Sequence, residues 1–468
     1  MRKQTLLILV VLMCLAPIRG NQAGQERHKS PQAAMNPQIQ KIVREISADN
    51  IEAIIKKLVG FETRHSLSET GSDSRGIGAA RRWIKSEFER YSREAGGRLQ
   101  VEFDEFVQQP TQRVPNPTTI VNVVATLPGK QAESKDRIYV VSGHYDSCLC
   151  AQDTLDATSA APGANDDASG TAAVMEMARV MAKYEFDATL VFMTVAAEEQ
   201  GLLGSTHWAE MAKQKSLNIA GMITNDIIGS SRAEDGRIDN THVRLFAEGV
   251  GGVRGEMPNE LRTLLQTGAE NDLPTRQLAR FIKELGEKYV TGMNVTVVYR
   301  RDRYGRGGDH SPFLDRGYPA VRMTEPNEDY KHQHQRVREE KGVKYGDLPE
   351  YDDFKYIAQV ARVNAAALAG LALAPAPPAN VEVEVRLEND TNLRWEANKE
   401  PDLAGYRIVW RETTAPFWQG RLLVGNVTRY TVKGMSKDNY LFGVQAVDKD
   451  GNWSVAVYPR PSRPARNR

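Results

Sequence analysis

The chain has 468 residues, enough for two or three domains. With 41% hydrophobic and 26% charged residues it carries ample material for a large core, which excludes disorder as its default state. Its 61 basic and 60 acidic side chains leave a formal charge of +1, so the chain lacks the general electrostatic footprint of a nucleic-acid binder.

The elements are predicted in chain order. Arg2 and Lys3 precede an apolar run over residues 6–16 that Pro17 ends, and small residues follow. This is the pattern of a secretory signal peptide over residues 1–23. The run is short for a bilayer span and no other segment approaches that length, so a secreted or periplasmic chain without a membrane span in its mature form is expected. Beyond the leader only Cys148 and Cys150 remain, as a bridge across one residue, as two free thiols, or as half of a zinc cage.

A flexible arm is expected over 24–39. Ser47 and Asp49 can cap a helix whose Ile51, Ile54, Ile55 and Leu58 form an i, i+3, i+4, i+7 stripe, and a second amphipathic stretch covers 76–93. Short Val/Ile-rich runs then predict strands over 120–127, 138–143, 189–196, 220–226 and 295–299. Helical patterns predict helices over 169–184, 202–213, 276–289 and 351–373. Alternation of this kind predicts an α/β domain over 40–373, with a mostly parallel central sheet flanked by helices and chemistry at the carboxyl ends of its strands. Residues 249–271 have no periodicity that places them. Pro375, Pro377 and Pro378 make 374–379 an extended linker. Short alternating strands over 381–387, 391–395, 405–411, 429–432 and 440–447 predict a small all-β sandwich over 380–459, and 460–468 reads as a frayed basic tail.

Four clusters sit at strand ends. The first is Gly143-His144-Tyr145-Asp146, where an imidazole can bind a metal and a carboxylate two residues on can orient it. The second is Asn165-Asp166-Asp167, at a helix entrance, where one acid suffices as a cap and the other is left to meet a cation. The third is Glu198-Glu199, adjacent acids that are costly at the end of a buried strand unless a cation compensates them. The fourth is Asn225-Asp226. Each alone is also an ordinary capping or core feature. Together they bring acids and a histidine to one sheet edge, and Asp309, His310, His332 and His334 follow in a chain with only 8 histidines. Such O/N donors suit Zn²⁺.

The string GHYDS, APGANDDASG, AAEEQGLLGS, NDIIG, GGDHSPF resembles the co-catalytic zinc aminopeptidases of metallopeptidase family twenty-eight, over roughly residues 40–373. The resemblance implies the zinc exopeptidase fold and two Zn²⁺ per chain, held by His144, Asp226, a bridging Asp166, Glu199 and a last histidine. It implies Glu198 as the general base, Asp146 as the group that orients His144, and a cis Asp166–Asp167 peptide. The family's His-Thr and nearby Asp are absent after Tyr330, so His334 is expected as the last ligand, with His332 the alternative. Tyr304 is the candidate for polarising the substrate carbonyl. Asp167, Asp309 and His310 are placed behind the ligands or in the pocket wall. His28, His65, His207 and His242 have no motif around them.

The C-terminal strands resemble a fibronectin type III domain, with Trp395 in the core and Tyr440 as the corner residue whose hydroxyl bonds backbone. The sandwich is expected to serve as a spacer or for surface or matrix contact.

The expected function is removal of single residues from peptides or proteins with a free N-terminus. Rivals on the same scaffold are a carboxypeptidase or dipeptidase and a glutaminyl cyclase-like acyl transferase. A non-catalytic exported binding protein is the rival from outside enzymology. HExxH and GxSxG are absent.

Overall fold

A computed structural model describes residues 35–251 and 256–462. The signal peptide, the arm as far as residue 34 and the tail from 463 lie outside the described residues. The expected arm gives way by Pro37 to a helix. Asn36 accepts hydrogen bonds from the Gln38 and Ile39 amides and Pro37 occupies the first turn, a strong N-terminal signal.

The helices are α1 (Pro37–Glu45), α2 (Ala48–Val59), α3 (Gly76–Glu94), α4 (Ser169–Met181), α5 (Leu203–Gln214), α6 (Asn259–Gln266), α7 (Pro274–Tyr289), α8 (His310–Asp315) and α9 (Phe354–Leu373). Ser47 caps α2, accepting from the Asn50 amide, while Asp49 lies in the first turn rather than at the cap. The first eight strands are β1 (Gln100–Gln108), β2 (Thr118–Leu127), β3 (Arg137–His144), β4 (Thr189–Val195), β5 (Asn218–Asn225), β6 (His242–Ala247), β7 (Asn294–Val298) and β8 (Ala320–Thr324). They form one sheet in the order β1-β2-β4-β3-β5-β8-β6-β7. Strands β4, β3, β5 and β8 run parallel, as do β6 and β7. The pairs β1–β2, β2–β4 and β6–β8 are antiparallel, so the sheet is mixed around a parallel centre.

Side chains alternate between the two faces, as the pleat requires. Tyr139, Val141, Leu190 and Phe192 pack into the larger core with residues of α1–α4, α7 and α9, whereas Val140, Val191 and Met193 pack into the smaller one with residues of α5 and α8. Helix α9 is long and apolar enough to cross a membrane, which corrects the expectation that no segment after the leader approaches that length. Its Ala-rich surface is buried nearly all round against α1, α2, α4 and α7, which makes it a core helix.

A hairpin of β9 (Arg338–Glu340) and β10 (Val343–Tyr345) follows the sheet in the chain. The C-terminal sandwich has β11 (Glu382–Glu384), β12 (Thr391–Arg394), β13 (Leu403–Glu412), β14 (Gly420–Gly425), β15 (Arg429–Val432), β16 (Tyr440–Asp448) and β17 (Arg460–Ser462). Its sheets are β15-β12-β11-β17 and β14-β13-β16. Trp395, Tyr406, Ile408, Phe442 and Val444 fill the space between them. The expected corner tyrosine is corrected. Tyr406, not Tyr440, takes a backbone N–H on its hydroxyl, from Asn398 at 2.7 Å, while Tyr440 packs edge-on to Phe442. The expected tail is also shorter, because residues 460–462 pair with β11.

The linker is pinned rather than free. Arg137 donates to the Ala374 carbonyl, and the Ala376 amide to Glu400 at 2.6 Å. Beyond it the sandwich is tied to the larger body by buried charge. Asp272, before α7, accepts from Arg280 at 3.0 Å and from Arg411 of β13 at 2.6 Å. Arg411→Met is therefore expected to destabilise the protein by about 2 kcal/mol, the worth of a charge-assisted hydrogen bond. Urea denaturation checks this, and an unchanged midpoint would remove the clamp from the account.

Candidate metal centre

The parallel strands aim their carboxyl ends at one edge, and the candidate residues leave from there. His144 is the last residue of β3, Glu198 and Glu199 follow β4, and Asp226 follows β5. Asp166 lies in the short helical turn at 164–168 before α4, and its peptide to Asp167 is cis.

These residues meet as two groups that share Asp166. His144, Asp166 and Asp226 each offer an atom within 4.8 Å of the others, and so do Asp166, Glu199 and His334. Asp166 Oδ1 stands 3.2 Å from His144 Nε2 and Asp166 Oδ2 stands 2.8 Å from His334 Nε2. One carboxylate thus faces both groups. Glu199 Oε1 and His334 Nε2 are 3.1 Å apart, yet both are buried and neither has a hydrogen bond of proper geometry. Buried polar atoms left without partners are costly, and a cation between them relieves both. Two His, two Asp and one Glu are a donor set that fits Zn²⁺.

The surrounding groups fix these donors in place. Asp146 is fully buried. Its Oδ1 lies 3.5 Å from His144 Nδ1, and its oxygens accept from the Glu198 and Glu199 amides at 3.3 and 3.2 Å. It therefore joins the ends of β3 and β4 as well as facing His144. Asp167 accepts from the His144 amide at 3.0 Å and the Gly170 amide at 2.9 Å, a joint between β3 and α4. Gly170 must be glycine here, since a Cβ would stand 2.2 Å from the Asn225 carbonyl oxygen and 2.6 Å from both Asp167 oxygens. Burial pushes the Glu198 carboxyl well above its ordinary range; His144 opposes this, while Asp226, Glu199 and Asp309 add to it. Burial likewise raises Asp309 to about 7, and one of its oxygens has no partner. His310 is fully buried, its Nε2 bonded to the Arg301 carbonyl at 2.9 Å, and burial lowers it to about 4. Asp309 and His310 are thus both buried at the start of α8.

Geometry separates the two late histidines. His334 reaches Asp166 and Glu199, at a residue with φ of 54°. His332 turns away, bonded through Nδ1 to the Gly346 carbonyl at 3.0 Å and stacked on Tyr351. Tyr304 is not brought to the centre. It is 85% exposed, under the Arg300 guanidinium, which donates to its hydroxyl at 3.0 Å. The loop residues 300–306 are rich in arginine, and stacking on one of them holds the ring outside.

Three contributors went unseen in the sequence. Arg322 of β8 is fully buried and bridges Asp226 at 2.9 Å and Asp302 at 3.2 Å. An arginine in an otherwise apolar buried run, Ala-Val-Arg-Met, is the signal that could have found it. Arg64, also fully buried, holds the carbonyls of Tyr145, Pro162 and Gly163 at 2.7, 2.6 and 2.8 Å and so fixes the loops that carry His144 and Asp166. Asp347 accepts from the Asn165 and Asp166 amides at 2.7 and 2.8 Å. An acid that no motif marks thus reaches the Asp166 amide from beyond the β9–β10 hairpin.

A mixed sheet whose parallel strand ends gather two groups of His, Asp and Glu donors around one shared carboxylate is a candidate metallopeptidase centre. Comparison with known proteins agrees. Peptidase family M28 matches residues 122–342 and a fibronectin type III domain matches 376–460. A probable zinc metalloprotease of Leptosphaeria maculans is 49% identical over 429 residues, 92% of this chain and 98% of its own. Another from Pyrenophora teres f. teres is 48% identical over 426 residues, 91% of this chain and 87% of its own. Among solved structures, LapB from Legionella pneumophila aligns with a TM-score of 0.53 at 19% identity, over 74% of this chain and 78% of its own. The aminopeptidase from Aneurinibacillus sp. strain AM-1 aligns with a TM-score of 0.50 at 16% identity, over 72% and 96%. These two likenesses speak to the fold. The chain belongs to peptidase family M28 and is a zinc metallopeptidase.

Proposed function

We propose that the protein is an exported aminopeptidase that uses two zinc ions, held by His144, Asp226, Asp166, Glu199 and His334. The observation that carries this reading is the position of Asp166, with one oxygen toward each histidine and Glu198 beside the cluster. Zinc bound there supplies Lewis acidity toward the scissile carbonyl and lowers the pKa of water. Glu198 takes the proton of the attacking water and passes it to the leaving amine. Asp146 and Asp167 hold His144 and the Glu198–Glu199 turn in place during the exchange. Glu198 and Asp309 lie beside the cluster, where an ammonium chain end would favour their ionised forms and a carboxylate would not. The fold is shared with a protein from Aneurinibacillus named an aminopeptidase, which supports the same end of the substrate.

The test is zinc content per chain together with hydrolysis of free and N-blocked aminoacyl substrates by protein recovered from the culture medium or periplasm. Two zinc ions with cleavage of the free form alone is the expected result. One zinc, or cleavage of blocked or carboxyl-terminal substrates, replaces it with the cyclase or carboxypeptidase reading.

A further inference from the structure

Cys148 and Cys150 form a disulfide four residues past His144. Their Sγ atoms and a Glu199 carboxylate oxygen lie within 4.8 Å of one another. Glu199 is the same carboxylate that faces His334 at 3.1 Å. The cysteine loop also touches the His334 loop. Gln152 Nε2 donates to Gln335 Oε1 at 2.7 Å, and the Arg336 amide donates to Gln152 Oε1 at 3.3 Å. Cys150 is partly exposed, so a small reductant can reach the bridge.

We propose that this disulfide masks a further metal site: when it is reduced, the Cys148 and Cys150 thiolates and Glu199 together bind a thiophilic divalent ion such as Zn²⁺. The inference rests on the reading of Glu199 as a zinc ligand of the catalytic pair. Reduction breaks the Sγ–Sγ bond with two electrons and two protons. With a phosphine as reductant, the phosphine becomes its oxide, taking oxygen from water, whose two protons complete the thiols. Each thiol then releases its proton to solvent as its sulfur binds the ion. Thiolates are softer donors than carboxylate and hold Zn²⁺ firmly, so they compete for the Glu199 corner of the centre. Reduction would thereby draw Glu199 away from His334 and lower turnover, and reoxidation would restore it.

The test uses the metal-free full chain, reduced by a phosphine and loaded with Co²⁺. A thiolate-to-cobalt charge-transfer band in the near ultraviolet is expected in the reduced protein. It should be absent from the oxidised protein, from Cys148→Ser/Cys150→Ser, and from reduced protein whose thiols were alkylated before loading. Turnover of the zinc-loaded enzyme should fall about tenfold on reduction, the scale of a disturbed ligand shell, and the double variant should not respond. No band with two titratable thiols overturns the proposal, as does a band that survives alkylation or the double substitution, or a bridge that the phosphine cannot open. The spectrum is independent of turnover. Failure of the oxidised, zinc-loaded enzyme to cleave free aminoacyl substrates would therefore count against the peptidase specificity alone.

Discussion

Glu198→Ala is expected to lower kcat by about 10²- to 10⁴-fold while zinc content stays at the wild-type level, the effect of losing a general base rather than a ligand. The two adjacent glutamates divide the work by direction. Glu199 turns its carboxylate toward Asp166 and His334 in a ligand group, whereas Glu198 belongs to neither group and is repelled by Asp226, Glu199 and Asp309. Burial and that repulsion favour its protonated form, which suits a carboxyl that must accept a proton and then deliver it. The measurement is kcat on a free aminoacyl substrate beside zinc per chain. Loss of zinc with loss of turnover would reverse the two roles, and unchanged turnover would remove Glu198 from the reaction. Glu199→Ala is the companion, expected to lose zinc first.

The centre was legible because strand polarity does the assembling. Once β3, β4 and β5 are read as parallel, their carboxyl ends fall at one edge, and His144, Glu198, Glu199 and Asp226 come together without knowledge of strand order. The elements that escaped have weaker local signals. Strand β1 is an edge strand with Glu102, Asp104 and Glu105 along it, and β8 is five residues long with a charge at its middle. Helix α6 is only eight residues long and buries none of them, and its stripe of Leu261, Leu264 and Leu265 is too short to stand out. Tyr304 was misplaced because spacing along an arginine-rich loop does not tell which way a ring turns. Asp347 was missed because the hairpin lengthens the path from His334 without moving the acid away from the Asp166 amide. In the sandwich, Tyr406 and Tyr440 both open onto alternating strands, and only the fold shows which hydroxyl meets a backbone amide.

Arg322→Met should cost about 3–5 kcal/mol of stability in the metal-free protein, the penalty for stranding buried charge. The guanidinium has no exposure to solvent, and three partners use it: Asp226 at 2.9 Å, Asp302 at 3.2 Å and the Gly307 carbonyl at 2.6 Å. The acids raise the guanidinium's affinity for its proton further, against the opposing effect of burial, so the pair interactions win. Methionine keeps much of the length and none of the charge, which takes the guanidinium from Asp226 and leaves Asp302 with the Arg303 side chain at 3.1 Å. Zinc should restore part of the loss, because an ion at the centre gives Asp226 a new counter-charge while Asp302 keeps Arg303 alone. Lysine at the same position should fall between, since a single ammonium cannot present the fork that spans two carboxylates and a carbonyl. Urea denaturation with and without zinc separates these contributions. A metal-free Arg322→Met protein as stable as wild type would show that the two acids fold uncharged, and the arginine would then have no part in holding Asp226 ready for the metal.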